Sequence, residues 1–157
     1  MSEHPFRTAW HTRELDPWMQ ALSPEVLLRS PVLKKPFAGR DAARELFGVL
    51  FETFGPMQIT AEFGDEDSHA FFWRGELAGR YIQGVDLLRY DAEGKIAEVS
   101  VMIRPLVDFG LFASKIGPRL AARRSPGRGM LLRLLASPLR GILIAADLVA
   151  SRLLGMR

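Results

Sequence analysis

The residue with the clearest chemical potential in this sequence is Asp86, which lies within the segment QGVDLLRYDAEGKIAEVSVMIRP at residues 83–105. Residues alternate there with period two, which is typical of β-strands. The Asp-Ala-Glu-Gly sequence at 91–94 is typical of a tight turn, because Asp can bond its own backbone and Gly supplies a positive φ. The segment is therefore predicted to form a β-hairpin that carries one acid in its first strand.

The register of this hairpin decides what surrounds the acid. Closure with Asp91 opposite Lys95 places Asp86 opposite Ser100. The residues then predicted to share a sheet face with Asp86 are Leu88, Met102 and Arg104. A carboxyl group on such a largely apolar face is a paired structural acid, a solvated acid, or a group whose raised pKa suits ligand binding or proton transfer.

Two further side chains could take part in such chemistry. Arg104 could pair with Asp86 or clamp an anion, which makes these two residues the candidate catalytic pair. His69 alternates with Phe71 and Trp73 along a predicted strand, so its face is apolar. This pattern favours a core or edge histidine over a catalytic one.

The sequence lacks the motifs of several other functional classes. It contains no cysteine, and His4 and His11 make no ligand spacing with the third histidine, so no metal site is expected. No phosphate loop, dinucleotide fingerprint or nucleophile motif is present, so no cofactor is expected. The charged N-terminal segment has no apolar stretch of the export type, which together with the absence of cysteine favours a cytoplasmic protein.

The elements that must position Asp86 follow from periodicity. Helical spacing at residues 6–22 and 42–54, the latter with Asp41 as its N-cap, precedes a series of strand patterns. The predicted strands cover 26–30, 57–63, 68–77, 81–90 and a final strand that ends at 104. Helices followed by a meander predict an α+β fold, in which a curved antiparallel sheet wraps around the N-terminal helices and leaves a cavity at its open end.

Such a cavity would be lined mainly by apolar side chains from the helices and the sheet. The candidate ligand-binding residues are Trp10, Ser30, Phe37, Phe47, Phe51, Phe71, Trp73, Leu88 and Met102. Aromatic residues at helical or strand spacing also form ordinary core, so this set predicts either a pocket wall or a packed interior.

The sequence resembles the nuclear transport factor 2-like superfamily, and most closely its SnoaL-like branch. The resemblance covers residues 6–112 and depends on Pro-Phe-Ala-Gly-Arg-Asp at 36–41, Gly-Val-Asp at 84–86 and Asp-Ala-Glu-Gly-Lys-Ile at 91–96. The superfamily includes ketosteroid isomerase, polyketide cyclases, limonene epoxide hydrolase and non-catalytic domains. The resemblance implies the cone-shaped fold and a homodimer formed through the sheet.

The resemblance also suggests roles for particular residues. Asp86 falls where ketosteroid isomerase has the protonated acid of its oxyanion hole. Ser30 falls where that enzyme has its general base, and a serine cannot take a proton from carbon without a base of its own, so that mechanism is not expected. The Arg-x-Asp step of limonene epoxide hydrolase reads Gly-Val-Asp here, and Arg104 could substitute from the neighbouring strand.

The C-terminal segment has a different charge from the rest of the chain. Residues 1–117 hold 13 basic and 17 acidic side chains, whereas residues 118–157 hold eight arginines and one aspartate. An Arg-rich linker is predicted after Gly117, followed by a short and a longer apolar helix divided at Pro138. Arg140, Asp147 and Arg152 interrupt the apolar run, so a membrane-spanning helix is not expected.

These patterns predict two parts, an α+β domain at 1–117 and a basic amphipathic helical tail at 118–157. The leading functional prediction is binding of a small hydrophobic molecule in an apolar pocket with a buried acid, with or without isomerase, cyclase or hydrolase chemistry. The alternative is a non-catalytic module whose tail contacts a membrane surface through residues 119–154 or binds another protein. No reading motif for nucleic acid accompanies the arginines, so nucleic acid is not an expected partner.

Overall fold

The computed structural model describes residues 3–155, without the side chains of residues 136, 137 and 140. The elements in this range are α1 (Pro5–Thr12), α2 (Leu15–Ala21), β1 (Leu22–Arg29), β2 (Phe37–Ala38), α3 (Arg40–Thr53), β3 (Phe54–Gly64), β4 (Ser68–Leu77), β5 (Arg80–Tyr90), β6 (Ile96–Arg104), α4 (Leu106–Arg124) and α5 (Pro126–Leu153). The chain groups into two compact units, one up to Ile103 and one from Arg104 onward, whereas the sequence predicts a boundary after residue 117.

The first unit is built on a curved sheet of six strands in the order β2-β1-β6-β5-β4-β3. β1 with β2, β3 with β4 and β4 with β5 are antiparallel, but β1 runs parallel to β6. The predicted α+β class with a curved sheet is confirmed. The parallel β1–β6 pairing lies outside the meander at 57–104, for which the sequence predicts antiparallel strands. Because α3 and the β3–β5 meander separate β1 from β6, no hairpin turn determines their relative direction.

The turn between β5 and β6 has the geometry that the sequence predicts. The backbone N–H of Asp91 donates to the carbonyl of Lys95 at 2.8 Å, and Gly94 has a φ of 72°. The Asp91 carboxylate accepts hydrogen bonds from the N–H groups of Glu93 and Lys95, at 3.1 and 2.7 Å. The turn is therefore held by its own side chain, and the predicted hairpin closure is confirmed.

Helix α3 begins and ends differently from the sequence prediction. Its N-cap is Gly39, with a φ of 84°, and Asp41 lies in the first turn instead of at the predicted cap position. Glycine adopts this positive φ without strain. Because Gly39 is the cap, the helix begins at Arg40, two residues before the start at residue 42 that the sequence predicts. At the other end, the Arg13 guanidinium donates to the carbonyls of Phe51, of Phe54 at 2.7 Å and of Gly55 at 2.7 Å.

This contact predicts a large stability effect for a residue far from Asp86. Replacing Arg13 by methionine should lower the free energy of unfolding by about 2 kcal/mol, because three carbonyls lose a charged donor. Urea unfolding measures the change. The control is Arg44→Met, which removes only an exposed ion pair with Asp16 and should cost less than about 0.5 kcal/mol. Equal losses in the two variants would contradict this role of Arg13.

The second unit consists of two long helices that pack against each other. Helix α4 continues through Gly117 and Pro118, where a linker is predicted, and α5 continues through Pro138, where a division is predicted. Both predictions are wrong. A proline inside a helix removes one backbone hydrogen bond, and the packing of the two helices offsets that loss. Their approach is close at Gly129, where a Cβ atom would lie 2.7 Å from the Cβ of Ala122.

Within residues 3–155, no helix has the combination of length and apolar character that crossing a membrane requires.

Candidate functional site

Asp86 lies at the centre of β5, on the inward-facing side of the strand. The buried residues of this strand alternate with less buried ones and are Ile82, Gly84, Asp86 and Leu88. Asp86 is only 4% exposed, and its partner residue on β4 is Phe71, which is fully buried. The predicted apolar face is confirmed on these two strands, and the solvated interpretation of Asp86 is wrong because the side chain has almost no access to water.

Gly84 shapes the surface beside this acid. It is the register partner of Trp73 on β4. A Cβ atom at Gly84 would lie 2.2 Å from Cζ2 of Trp73 and 2.7 Å from the carbonyl oxygen of Met102. The glycine therefore gives the Trp73 indole the space to lie directly against the backbone of β5, two residues from Asp86.

Burial controls the protonation of Asp86. Loss of water raises the pKa of this carboxyl group to about 7, and the Trp73 indole N–H partly opposes the rise. Among the described residues, Asp86 makes no ion pair, and neither its Oδ1 nor Trp73 Nε1 has a hydrogen-bond partner at normal geometry. At pH 7 the Asp86 carboxyl group is therefore about half protonated, and at pH 6 most of it is protonated. It also has hydrogen-bonding capacity left over.

The aromatic residues predicted to bind a ligand pack against one another. Ring centroids lie 5.0 Å apart for Trp10 and Phe51, and 5.9 Å apart for Phe47 and Phe51. The other close pairs are Phe6 with Phe71 at 4.6 Å, Trp18 with Phe47 at 5.3 Å and Phe54 with Trp73 at 6.0 Å. These rings form the core of the first unit, and contact of any of them with a ligand stays a prediction.

The remaining candidate residues lie in different settings. Leu88 is fully buried beside Asp86 on β5, whereas Met102 on β6 is 53% exposed. Ser30 follows β1, and its Oγ accepts hydrogen bonds from the N–H groups of Val32 and Leu33 at 3.0 and 3.2 Å. This serine therefore stabilises a local turn.

Phe37 and Arg104 complete the set of candidate residues. Phe37 is half-buried at the start of β2. Arg104 is exposed at the end of β6 and is the first residue of the second unit. The catalytic role of Arg104 stays a prediction.

His4 belongs to a polar cluster that sequence reasoning did not find. It is the N-cap of α1, where its Nδ1 accepts from the N–H of Phe6 at 3.1 Å. Because Nδ1 accepts, Nε2 carries the proton and donates to the Tyr90 hydroxyl at 2.8 Å. The His4 ring lies 5.0 Å from that of His69, which stacks on Phe71 at 4.4 Å as its apolar strand face predicts.

The sequence feature that indicates His4 as a helix cap is His-Pro-Phe at residues 4–6, because a cap residue before a proline is typical of a helix start. Among the described residues, no three histidine or acidic side chains group as metal ligands do.

The lowered pKa of His4 predicts that the folded protein loses stability in acid. Burial, together with the nearby His69, lowers its pKa from 6.5 to about 4, while Glu62 raises it and Arg7 lowers it. The folded protein therefore resists protonation that the unfolded chain accepts, and stability falls as pH drops from 6.5 towards 4. After allowance for its partial exposure, we expect His4→Asn to reduce this acid-dependent loss by about 1 kcal/mol.

The measurement is urea unfolding of the two proteins at pH 7.5 and pH 4.5. Asparagine can cap the helix but cannot titrate, so only the difference between the two pH values reports on His4. The control is His11→Asn, which makes the same substitution at an exposed position in the last turn of the same helix. An identical loss in His4→Asn and in the unmodified protein would contradict the prediction.

Comparison with known proteins supports the α+β fold with a curved sheet. The model of the SnoaL-like domain matches residues 4–99. A crystal structure of a steroid delta-isomerase from Pseudomonas aeruginosa superposes with a TM-score of 0.71 at 24% identity, covering 76% of this chain and 89% of that one. An uncharacterised protein with a cystatin-like fold from Silicibacter pomeroyi superposes with a TM-score of 0.68 at 19% identity, covering 82% and 89%.

A third similar structure is an epoxide hydrolase/cyclase-like enzyme of pyran ring formation in the polyether salinomycin. It superposes with a TM-score of 0.54 at 20% identity, covering 64% of this chain and 84% of that one. A search of curated proteins finds no match. At these identities the structures are evidence for the fold alone.

Proposed function

Because the chain belongs to the SnoaL-like domain family, we propose that it binds a small hydrophobic molecule in an apolar pocket beside Asp86. The observation that carries this proposal is the buried carboxyl group of Asp86, which has no ion pair among the described residues and a pKa raised to about 7. A buried carboxyl group with an unsatisfied oxygen is costly to folding, so its presence in an aromatic environment supports a role in binding.

The chemistry that Asp86 can supply follows from its protonation. A neutral carboxyl group donates a hydrogen bond, and it can stabilise negative charge that develops on a carbonyl or epoxide oxygen. Isomerases, cyclases and hydrolases of small apolar molecules need such a donor. The fold of the steroid delta-isomerase and of the epoxide hydrolase/cyclase-like enzyme supports this range of reactions. In the proposal Asp86 is the polar anchor or proton donor.

A binding experiment tests this proposal. We expect apolar ketones or epoxides from a small panel to bind more tightly at pH 6 than at pH 8.5 in calorimetric titrations, since Asp86 loses its proton near pH 7. Asp86→Leu should weaken binding about tenfold at pH 6, through loss of one hydrogen bond from the neutral carboxyl group, and remove the pH dependence. The control Asp67→Asn changes an exposed acid in the same unit and should bind as the unmodified protein does.

Two outcomes would contradict the proposal. One is that no member of the panel binds. The other is that a ligand binds equally at both pH values and equally to Asp86→Leu, which would mean that Asp86 does not face it.

We also propose a homodimer that forms through the sheet. Phe63 and Phe72 lie on neighbouring strands with ring centroids 5.9 Å apart, and they are 66% and 40% exposed. Contact with a second copy would remove these rings from water. Light scattering should give twice the monomer mass, and Phe72→Glu should lower it. A strict monomer of the unmodified protein would contradict this part of the proposal.

A further inference from the structure

Helix α5 carries an exposed line of large apolar side chains, called here the apolar stripe. Its members are Leu131, Leu135, Ile142, Val149 and Leu153, which are 57, 64, 64, 55 and 83% exposed. They are separated by steps of four and seven residues, so they lie on one face of the helix. Five large apolar side chains on one exposed face form a surface that water does not stabilise.

The opposite side of α5 carries polar residues. Arg133, Asp147 and Ser151 are separated by multiples of about 3.6 residues and are offset from the apolar stripe by two positions, which is about half a turn. Arg133 is exposed there, whereas the exposed Arg128 precedes Leu131 by three residues and lies on the side of the stripe. The side opposite the stripe is therefore more polar than the stripe itself, although it also carries Ile144, which is 41% exposed.

The contact between α4 and α5 does not cover the apolar stripe. It involves Gly129, which approaches the carbonyl of Pro118 and the Cβ of Ala122. The residues of the stripe stay exposed with α4 packed against α5. Another surface is needed to remove the stripe from water.

The positive charge of residues 118–157 favours one of the surfaces that could cover the apolar stripe. Residues 118–157 carry eight arginines and one aspartate, a formal charge of +7. A second copy packed on the stripe would bring the same positive charge close to the first, and this repulsion opposes association. Anionic lipid headgroups attract the arginines, and the boundary between headgroups and acyl chains accepts the apolar side chains.

We propose that the apolar stripe of α5 binds the surface of an anionic lipid bilayer, with the helix lying along the membrane. This inference is independent of the function proposed for Asp86. It assigns the basic helical segment a role that the SnoaL-like match at residues 4–99 does not cover.

Sedimentation of the full-length protein with lipid vesicles tests the proposal. Vesicles of phosphatidylcholine with about 30% phosphatidylglycerol should bind the protein, and vesicles of phosphatidylcholine alone should bind it at least about tenfold more weakly. Raising the salt concentration from about 0.1 to 0.5 M should weaken binding, because salt screens the arginines from the headgroups.

Two variants that add the same charge to opposite faces of α5 provide the matched comparison. Ile142→Glu places a carboxylate on the apolar stripe and should weaken vesicle binding about tenfold. Ser151→Glu places one on the polar side and should change binding less than about twofold. Circular dichroism verifies that both variants keep their helical content.

Three outcomes would overturn the proposal. The first is no binding to anionic vesicles, and the second is equal weakening by the two variants. The third is a self-associated protein that Ile142→Glu converts to a smaller species without any vesicle binding, which would identify a second copy as the surface that covers the stripe.

Discussion

Replacing Asp86 by asparagine is expected to raise the free energy of unfolding at pH 8 by about 2 kcal/mol. Burial raises the folded-state pKa of this acid from 3.8 to about 7, so at pH 8 the folded protein holds a buried charge without an ion pair among the described residues. The unfolded chain ionises freely. Asparagine has nearly the same shape and no charge, so it removes this cost of about 4 kcal/mol. The buried amide itself costs about 2 kcal/mol, which leaves the net gain of about 2 kcal/mol.

The sign of the effect follows from proton binding. Between pH 4 and pH 7 the folded state keeps a proton that the unfolded state has lost, so stability falls as pH rises through this window. Below pH 4 both states are protonated at this position, and asparagine should bring no gain. Urea unfolding of both proteins at pH 4 and pH 8 measures the difference.

The control for this prediction is Asp67→Asn, which removes an exposed acid from the β3–β4 turn and should change stability little at either pH. A variant Asp86→Asn that is less stable than the unmodified protein by the same amount at pH 4 and pH 8 would contradict the prediction. A gain in stability together with a loss of ligand affinity is expected of a residue kept for function.

Replacing Gly84 by alanine is expected to lower the free energy of unfolding by about 3 kcal/mol. The new Cβ atom would lie 2.2 Å from Cζ2 and 2.6 Å from Cε2 of the Trp73 indole. It would also lie 2.7 Å from a backbone oxygen of Met102, so movement of the indole alone does not relieve the contact. The backbone of β5 or of β6 must therefore shift as well, and Asp86 lies two residues away.

A double-mutant cycle tests the cause. Trp73→Leu alone creates a cavity and should cost about 3 kcal/mol, but it also removes the ring that a Cβ at residue 84 would meet. The double variant should therefore lose at least about 1 kcal/mol less than the sum of the single variants. Strict additivity would show that the Trp73 ring is not what requires glycine at this position.

Local patterns predicted much of the first unit. The turn at 91–94 depends on Asp91 and Gly94, whose bonding and φ are properties of those residues themselves. The alternation along β5 predicted that Asp86 and Leu88 share one face of the strand, and both are buried. Such features depend on contacts between near neighbours in sequence, and periodicity reports them directly.

Other features depend on contacts between residues far apart in sequence. The parallel pairing of β1 with β6 joins strands with no turn between them. Pro118 and Pro138 predict helix ends, but the packing of α4 on α5 keeps both helices continuous. His4 joins Tyr90 across 86 positions of the chain, so only the fold shows that this N-terminal residue is partly buried.

For the candidate site, the sequence identified Asp86 but left its protonation open among three interpretations. Protonation depends on how completely water is excluded, and that is a property of the packed rings around the acid. Trp73 was predicted as a pocket residue, while the need for glycine at residue 84 became clear only from the distance between the two.

The measurement that tests the central claim most directly is the pKa of Asp86 by carboxyl-carbon NMR, with Asp86→Asn to assign its signal. The account predicts a midpoint near 7, shifted upward when an apolar ketone binds, because a bound acceptor stabilises the protonated form. A midpoint at or below the ordinary value of about 3.9 would contradict it, since an ionised Asp86 could not act as a neutral hydrogen-bond donor.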